Sequence, residues 1–294
     1  MKRIILPLLV IAILSLSLLG CNVTQEKVNI DATTRPVWEF TSRLCSGTDL
    51  SVALLVTEAV SCLHDYSLSV RQAKLSEAAD LIVISGAGLE EPFESLLHDK
   101  KIIDCSSDIS LIGCNESEEH GHEHEHHSHE FDAHIWLSPS NAKLMVNSIY
   151  NGLIREYPQH KQTFDHNFQQ LTKELNELLQ YGRQTLRDLS TYDLITFHDG
   201  FSYFADEFNL NIIKAIEEES GSEASAAELK DLIQLIREHQ LPAIFTEANG
   251  SVSAAGIIAS ETGVSTFPLD MAMSERSYFE AMYHNIDTIK EAMG

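Results

Sequence analysis

From Gln159 to Leu189 no proline interrupts the chain, and Phe164, Phe168, Leu171, Leu175, Leu178, Leu186 and Leu189 recur at helical spacing with charged residues between them. Such a stripe predicts one long amphipathic helix. Tyr181-Gly182 breaks the stripe before the several heptads that a coiled coil needs, so a helix packed along its neighbours is the better expectation. Everything else in the chain falls on one side or the other of this helix.

Both sides carry the same rhythm of short apolar runs and helical patterns. The first half reads "VNIDA", Pro36 to Cys45, "LSVALLV", Val70 to Ala79, "DLIVISG" and "KIIDC". The second reads "DLITF", Phe201 to Phe208, "NIIKAI", Ala226 to His239, "AIFTE", Ser253 to Thr262, "STFPL" and a final helix from Ser277 to Ala292. Alternation of this kind is the signature of parallel β/α units. The expected fold is therefore α/β, with two β/α lobes joined by one long rigid helix: an N-terminal lobe over 21–158, a linking helix over 159–190 and a C-terminal lobe over 191–294. A chain of 294 residues is long enough for two such units.

The first residues, "MKRIILPLLVIAILSLSLLGC", place Lys2 and Arg3 before an apolar run that ends in Gly20-Cys21. That is the pattern of an export signal over 1–20, and its end resembles a lipoprotein lipobox, with Cys21 as the lipidated first residue of the mature chain. The body is expected outside the cytoplasm, in the periplasm or on the outer cell surface, tethered to the membrane through that lipid. In an oxidising compartment the even number of remaining cysteines suggests disulfides. Cys105 and Cys114 are the local pair, and Cys62 is expected in a disulfide rather than on a metal. A net charge of -24 argues against a nucleic acid partner.

The string "EEHGHEHEHHSHEFDAHIWL", from Glu118 to Leu137, holds half of the 14 histidines. His122 to His126 satisfies the H-E-x-x-H pattern of zinc proteases, but only through His/Glu alternation, and no apolar helical stripe surrounds it. No serine elbow, phosphate loop or catalytic carboxylate pair stands in a convincing context either, so no enzyme is expected. His120, His122, His124, His126, His127 and His129 read as an accessory histidine-rich loop, over 115–130, that gathers metal through exchangeable imidazoles.

His134, near the end of that string, and His64 and His198 stand apart from the run. His198 directly follows the strand run "DLITF", Asp270 follows "STFPL" and Glu247 closes "AIFTE", each where open α/β sheets keep their ligand crevice. Two groups from each half, three imidazoles and one carboxylate, would make a four-coordinate site of the kind zinc favours. Glu247 could instead orient a ligating imidazole from behind.

The strings "HDYSLSVRQAKLSEAADLIVISGAGLE", "HIWLSP", "HDGFSYFADEFNL", "EEESGSEASAAELKDLI" and "FTEANGSVSAAGIIASETG", followed by "LDMAM", cover most of the mature chain. In this order they resemble the metal-specific solute-binding proteins of bacterial ABC importers, the zinc and manganese class. The resemblance implies a metal held in the cleft between the lobes, with His64, His134 and His198 as ligands and Asp270 as the acidic ligand of the C-terminal lobe. A histidine at 198 resembles the zinc members, whereas manganese members tend to carry glutamate there, so Zn2+ is the expected cargo and Mn2+ the less favoured one. Some zinc members have glutamate just before the first histidine; Leu63 stands there in this chain. The implied partners are a membrane permease and its ATPase. The alternatives are a manganese- or iron-type importer component and a surface metal buffer or adhesin.

Overall fold

The computed structural model describes residues 28–58, 63, 66–113, 130–217, 225–247 and 253–294. The export signal, Cys21, Cys62, His64, Cys114 and the histidines from His120 to His129 lie outside the described residues.

In the first half β1 (Ile30–Ala32), α1 (Arg35–Cys45), β2 (Val52–Leu54), α2 (Val70–Ala78), β3 (Leu81–Ile84), α3 (Glu94–Leu97) and β4 (Ile102–Asp104) follow one another. After them α4 (Pro139–Glu156) leads into α5 (Lys161–Thr185). The second half runs β5 (Asp193–His198), α6 (Ser202–Phe208), β6 (Asn211–Glu217), α7 (Ala226–His239), β7 (Ala243–Glu247), α8 (Ser253–Thr262), β8 (Ser265–Leu269) and α9 (Tyr278–Met293). Leu81, Ile82 and Val83 are all buried, as expected for a strand with helices on both faces of its sheet. Helices α2, α7 and α9 each start with a capping box, Ser69/Gln72, Ser225/Glu228 and Ser277/Glu280, which satisfies backbone N–H groups that the first turn leaves open.

The sheets are parallel, in the orders β2-β1-β3-β4 and β6-β5-β7-β8, so the two lobes share one topology. In both, successive connections leave the first strand in opposite directions, which opens a crevice at the carboxyl ends of β1/β3 and of β5/β7. In the N-terminal lobe the protein's own Glu90 fills that place. Its carboxylate accepts the Thr33 hydroxyl at 2.6 Å and the Ser85 and Gly86 N–H groups at 2.8 and 3.0 Å. Gly86 has φ +83°, and a Cβ there would lie 2.1 Å from the Asp104 carboxylate. The glycine turn of "GAG" is thus a folding requirement.

Helix α5 is about 37 Å long at 1.5 Å per residue. It buries Phe164, Leu171, Leu175, Leu178, Leu179 and Gly182. Its first half serves the N-terminal lobe: Asn167 donates to the Leu44 and Ser46 carbonyls at the end of α1, both at 2.8 Å, and Glu174 pairs with Arg43 at 2.6 Å. Its last turns serve the other lobe, where Arg183 pairs with Glu207 at 2.8 Å. The break in the stripe at Gly182 has a packing reason, since a Cβ there would lie 2.3 Å from the Phe208 ring and 3.1 Å from Ile286. Leu186 and Leu189 lie beyond the helix end yet still join the apolar cluster that runs through both lobes. Among the described residues no helix is long and apolar enough to cross a membrane.

Cys45 and Cys105 are buried free thiols among the described residues, and burial pushes the Cys105 thiol well up. Asp31, on the inner strand β1, is 1% exposed. Burial pushes its carboxyl up to about 7, against the opposing pull of the Ser76 side chain. A raised folded-state pKa means that the folded chain binds this proton more tightly than the unfolded chain. The contribution is complete below the ordinary value of 3.8 and is lost as pH rises to about 7. Asp31→Asn is therefore expected to gain stability over the wild type between pH 4 and 7, by at most about 1.4 kcal/mol per pH unit, then level off. Urea unfolding across that range checks this, and parallel profiles would contradict it.

Candidate metal centre

Strand β5 ends at His198 and its neighbour β7 ends at Glu247, so the sheet topology alone sets these two side chains across the crevice of the C-terminal lobe. His198 is buried, and its Nδ1 stands 3.5 Å from Glu247 Oε1.

His134 reaches the same place from the first half of the sequence. It precedes a 3-10 turn, Ile135–Leu137, and three hydrogen bonds fix that segment to the C-terminal lobe. The Tyr203 hydroxyl donates to the Asp132 carbonyl at 3.0 Å, Trp136 Nε1 donates to the Met271 carbonyl at 2.7 Å, and the Tyr278 hydroxyl donates to the Trp136 carbonyl at 2.9 Å. By sequence His134 belongs with the first half, but its supports belong to the second. The wall that carries both imidazoles is therefore one packed body.

Asp132 Oδ1 accepts the His134 backbone N–H at 2.8 Å and lies 2.8 Å from His134 Nδ1. Burial pushes the Asp132 carboxyl up, but the His134 ring and backbone hydrogen bonds outweigh it and leave the group below the usual carboxylate range. The Asp132 hydrogen bond at His134 Nδ1 selects the tautomer that carries its proton there and leaves the Nε2 lone pair facing outward, while Glu247 stands 3.5 Å from His198 Nδ1. The two Nε2 atoms then meet at 3.3 Å, with the rings nearly perpendicular at 89°. Two nitrogen ligands of a tetrahedral ion at about 2.0–2.1 Å stand about 3.3–3.4 Å apart. The pair is spaced as two zinc ligands are.

Asp270 comes to the same wall without joining the pair. Its neighbour Met271 places its methyl where a Cβ on Gly200 would be, beside His198 and His134. The Asp270 carboxylate is turned into its own loop, accepting the Ala272 N–H at 2.8 Å, the Ser274 hydroxyl at 2.7 Å and Arg276 Nη1 at 3.3 Å. Among the described residues no three ligating side chains gather at one point.

His64 is outside the described residues, but Glu58 and Tyr66 on either side of it are tied to α2. Gln72 Nε2 donates to the Leu55 carbonyl at 2.8 Å, to Glu58 at 3.1 Å and to the Tyr66 hydroxyl at 2.7 Å, and Tyr66 in turn donates to Glu58. The histidine-rich run has a defined root, where Gly113 and Phe131 form an antiparallel bridge one residue before Asp132. A cavity of about 280 Å³ beside that root is lined by Asp132, Asp199 and Asp206.

Sequence reasoning named His134, His198 and Glu247 but not Asp132, Gly200 or Arg276. A carboxylate two residues before the histidine in "FDAHIW" was the available signal for Asp132. Nothing in the string announces the others.

The family described as zinc-uptake complex component A, periplasmic, matches residues 30–292. The chain belongs to this family. The zinc-binding lipoprotein AdcA of Streptococcus pneumoniae is 30% identical to it, over 99% of this chain. This chain spans 61% of that relative's length. A crystal structure of ZnuA superposes with a TM-score of 0.80 at 26% identity, covering 92% of this chain and all of the other. The Zn(II)-bound ZnuA-like domain of Streptococcus pneumoniae AdcA superposes with a TM-score of 0.75 at 28% identity, covering 90% of this chain and 98% of that domain. The two-lobed architecture is thus the architecture of the zinc-uptake family.

For a zinc-uptake family member, Gly200 is a sensitive position. A Cβ there would lie 2.6 Å from Met271 Cε, 2.7 Å from His198 Cδ2 and 2.8 Å from His134 Nδ1. Gly200→Ala must displace an imidazole and is expected to weaken zinc binding about 10- to 100-fold, the range for a lost supporting contact. Competition against a chromophoric chelator measures this; unchanged affinity in a folded variant would contradict it.

Proposed function

We propose that this protein is the extracytoplasmic capture component of an ABC metal importer, which binds Zn2+ between its lobes and hands it to a membrane permease driven by an ATPase. The observation that carries this reading is the converging Nε2 pair of His134 and His198 at 3.3 Å, each imidazole backed by a carboxylate. Zinc bound to the ZnuA-like domain of a relative 28% identical supports the same cargo. His64 supplies the third imidazole, and Asp270 or water completes the shell. Glu247 and Asp132 orient the rings.

No covalent step is involved, so the work of the site is selection and release. His134 and His198 sit on one packed wall, whereas His64 lies in sequence between Glu58 and Tyr66, both of which hydrogen-bond Gln72. Removal of His64 alone would take away one ligand and leave the other two in place. Cys21 anchors the mature chain to a membrane by its lipid, on the periplasmic or outer surface. The run from His120 to His129 collects metal loosely through exchangeable imidazoles. The expected Cys105–Cys114 disulfide is not formed in this structure, where Cys105 is a buried free thiol.

Element-resolved mass spectrometry of protein purified without added metal should find zinc in preference to manganese. His198→Ala is expected to lose far more affinity than His124→Ala, since the first removes a positioned ligand and the second one of several interchangeable donors. Equal losses would contradict the assignment. Deletion of residues 118–130 separates a carrier, which keeps its tight site, from a surface buffer, which loses it. Because protons compete for the same imidazole nitrogens, affinity should fall as pH drops from 8 to 5.5, and a constant affinity across that range would contradict histidine ligation.

A further inference from the structure

Asp270 presents a choice that its backbone does not share. Its main chain is locked to α9 by Asn285, which accepts the Asp270 N–H and donates to the Asp270 carbonyl, both at 2.7 Å. The residue after it is locked by Trp136. Only the carboxylate can turn, and at 2% side-chain exposure a bare negative charge there needs a positive partner.

Two cations would compete for it once metal is bound. One is an ion at the His134/His198 pair, whose rings lie beside the side chain of the next residue, Met271. The other is Arg276, whose guanidinium stands 3.3 Å from Asp270 Oδ2, with the Ser274 hydroxyl on the same oxygen and the Ala272 N–H on Oδ1. Arg276 also feels the nearby carboxylate of Glu280, whose Oε2 accepts the Ser277 N–H and hydroxyl at 3.0 and 2.8 Å, but its own hydrogen bond goes to Asp270.

We propose that Arg276 determines metal specificity by holding the Asp270 carboxylate out of the coordination shell. The inference rests on the reading of the imidazole pair as a zinc site. With Asp270 paired to a guanidinium, an arriving ion meets nitrogen donors and water, a set that suits zinc. With Asp270 free, the same ion gains an anionic oxygen, which manganese values more. Arg276 is thus a positioning residue: it never touches the metal, and it acts through the group that could.

The test is the ratio of manganese to zinc dissociation constants, measured by chelator competition on the full chain for wild type, Arg276→Gln, Arg276→Lys, Asp270→Asn and the Arg276→Gln/Asp270→Asn double variant. Loss of one charge-assisted hydrogen bond should change the balance by about tenfold. Arg276→Gln is expected to tighten manganese relative to zinc by that factor, Arg276→Lys to stay near wild type, and the double variant to match Asp270→Asn. Arg276 is half-exposed, so its variants leave the core intact. A ratio unchanged in Arg276→Gln, or shifted equally with and without the Asp270 carboxylate, overturns the proposal while leaving the zinc site standing. Zinc affinity indifferent to both His134→Ala and His198→Ala would overturn the underlying site reading and this inference with it.

Discussion

The meeting of His134 Nε2 and His198 Nε2 at 3.3 Å is the arrangement on which the rest of this molecule depends. At that distance the two nitrogens share either a proton or a cation. Asp132 holds the opposite nitrogen of His134 at 2.8 Å, and Glu247 stands 3.5 Å from that of His198. Each carboxylate is positioned in turn by backbone, Asp132 through the pinned loop before the 3-10 turn and Glu247 through strand β7. The long helix and the continuous apolar cluster keep these supports in register.

The two lobes use one topology for opposite ends. In each, parallel strands leave a crevice at the carboxyl ends of the first and third strands in sequence. In the N-terminal lobe Glu90 fills it, taking a hydroxyl and two backbone N–H groups. In the C-terminal lobe the same place holds His198 and Glu247, and the loop from the first half adds His134. A repeated fold thus becomes an asymmetric site. One crevice is closed by the protein's own carboxylate and the other is lined by donors.

Much of this was legible in the sequence, because strand and helix periodicities act over short stretches and are little altered by tertiary context. Helices α7 and α8 run over the residues that their patterns specify, and the strand runs "AIFTE" and "STFPL" form β7 and β8 in full. His198 was legible for the same reason, as a histidine at the end of a buried strand. What stayed hidden depends on contacts between distant segments. That His134 is carried by the C-terminal lobe rests on Tyr203, Trp136 and Tyr278, which no local pattern links. That Gly182 interrupts the helical stripe to admit Phe208 is likewise a fact of packing. The tie between Arg276 and Asp270 spans six residues of irregular loop, where neither helical nor strand periodicity guides the eye.

Converging imidazoles in the cleft, rather than the histidine-rich run, are the proposed seat of the ion. Zinc-edge X-ray absorption on protein lacking residues 118–130, loaded with a single equivalent of zinc, addresses it most directly. The account predicts a four-coordinate nitrogen and oxygen shell at about 2.0–2.1 Å, with outer-shell scattering from more than one imidazole. A shell of oxygen donors with no imidazole scattering would contradict it.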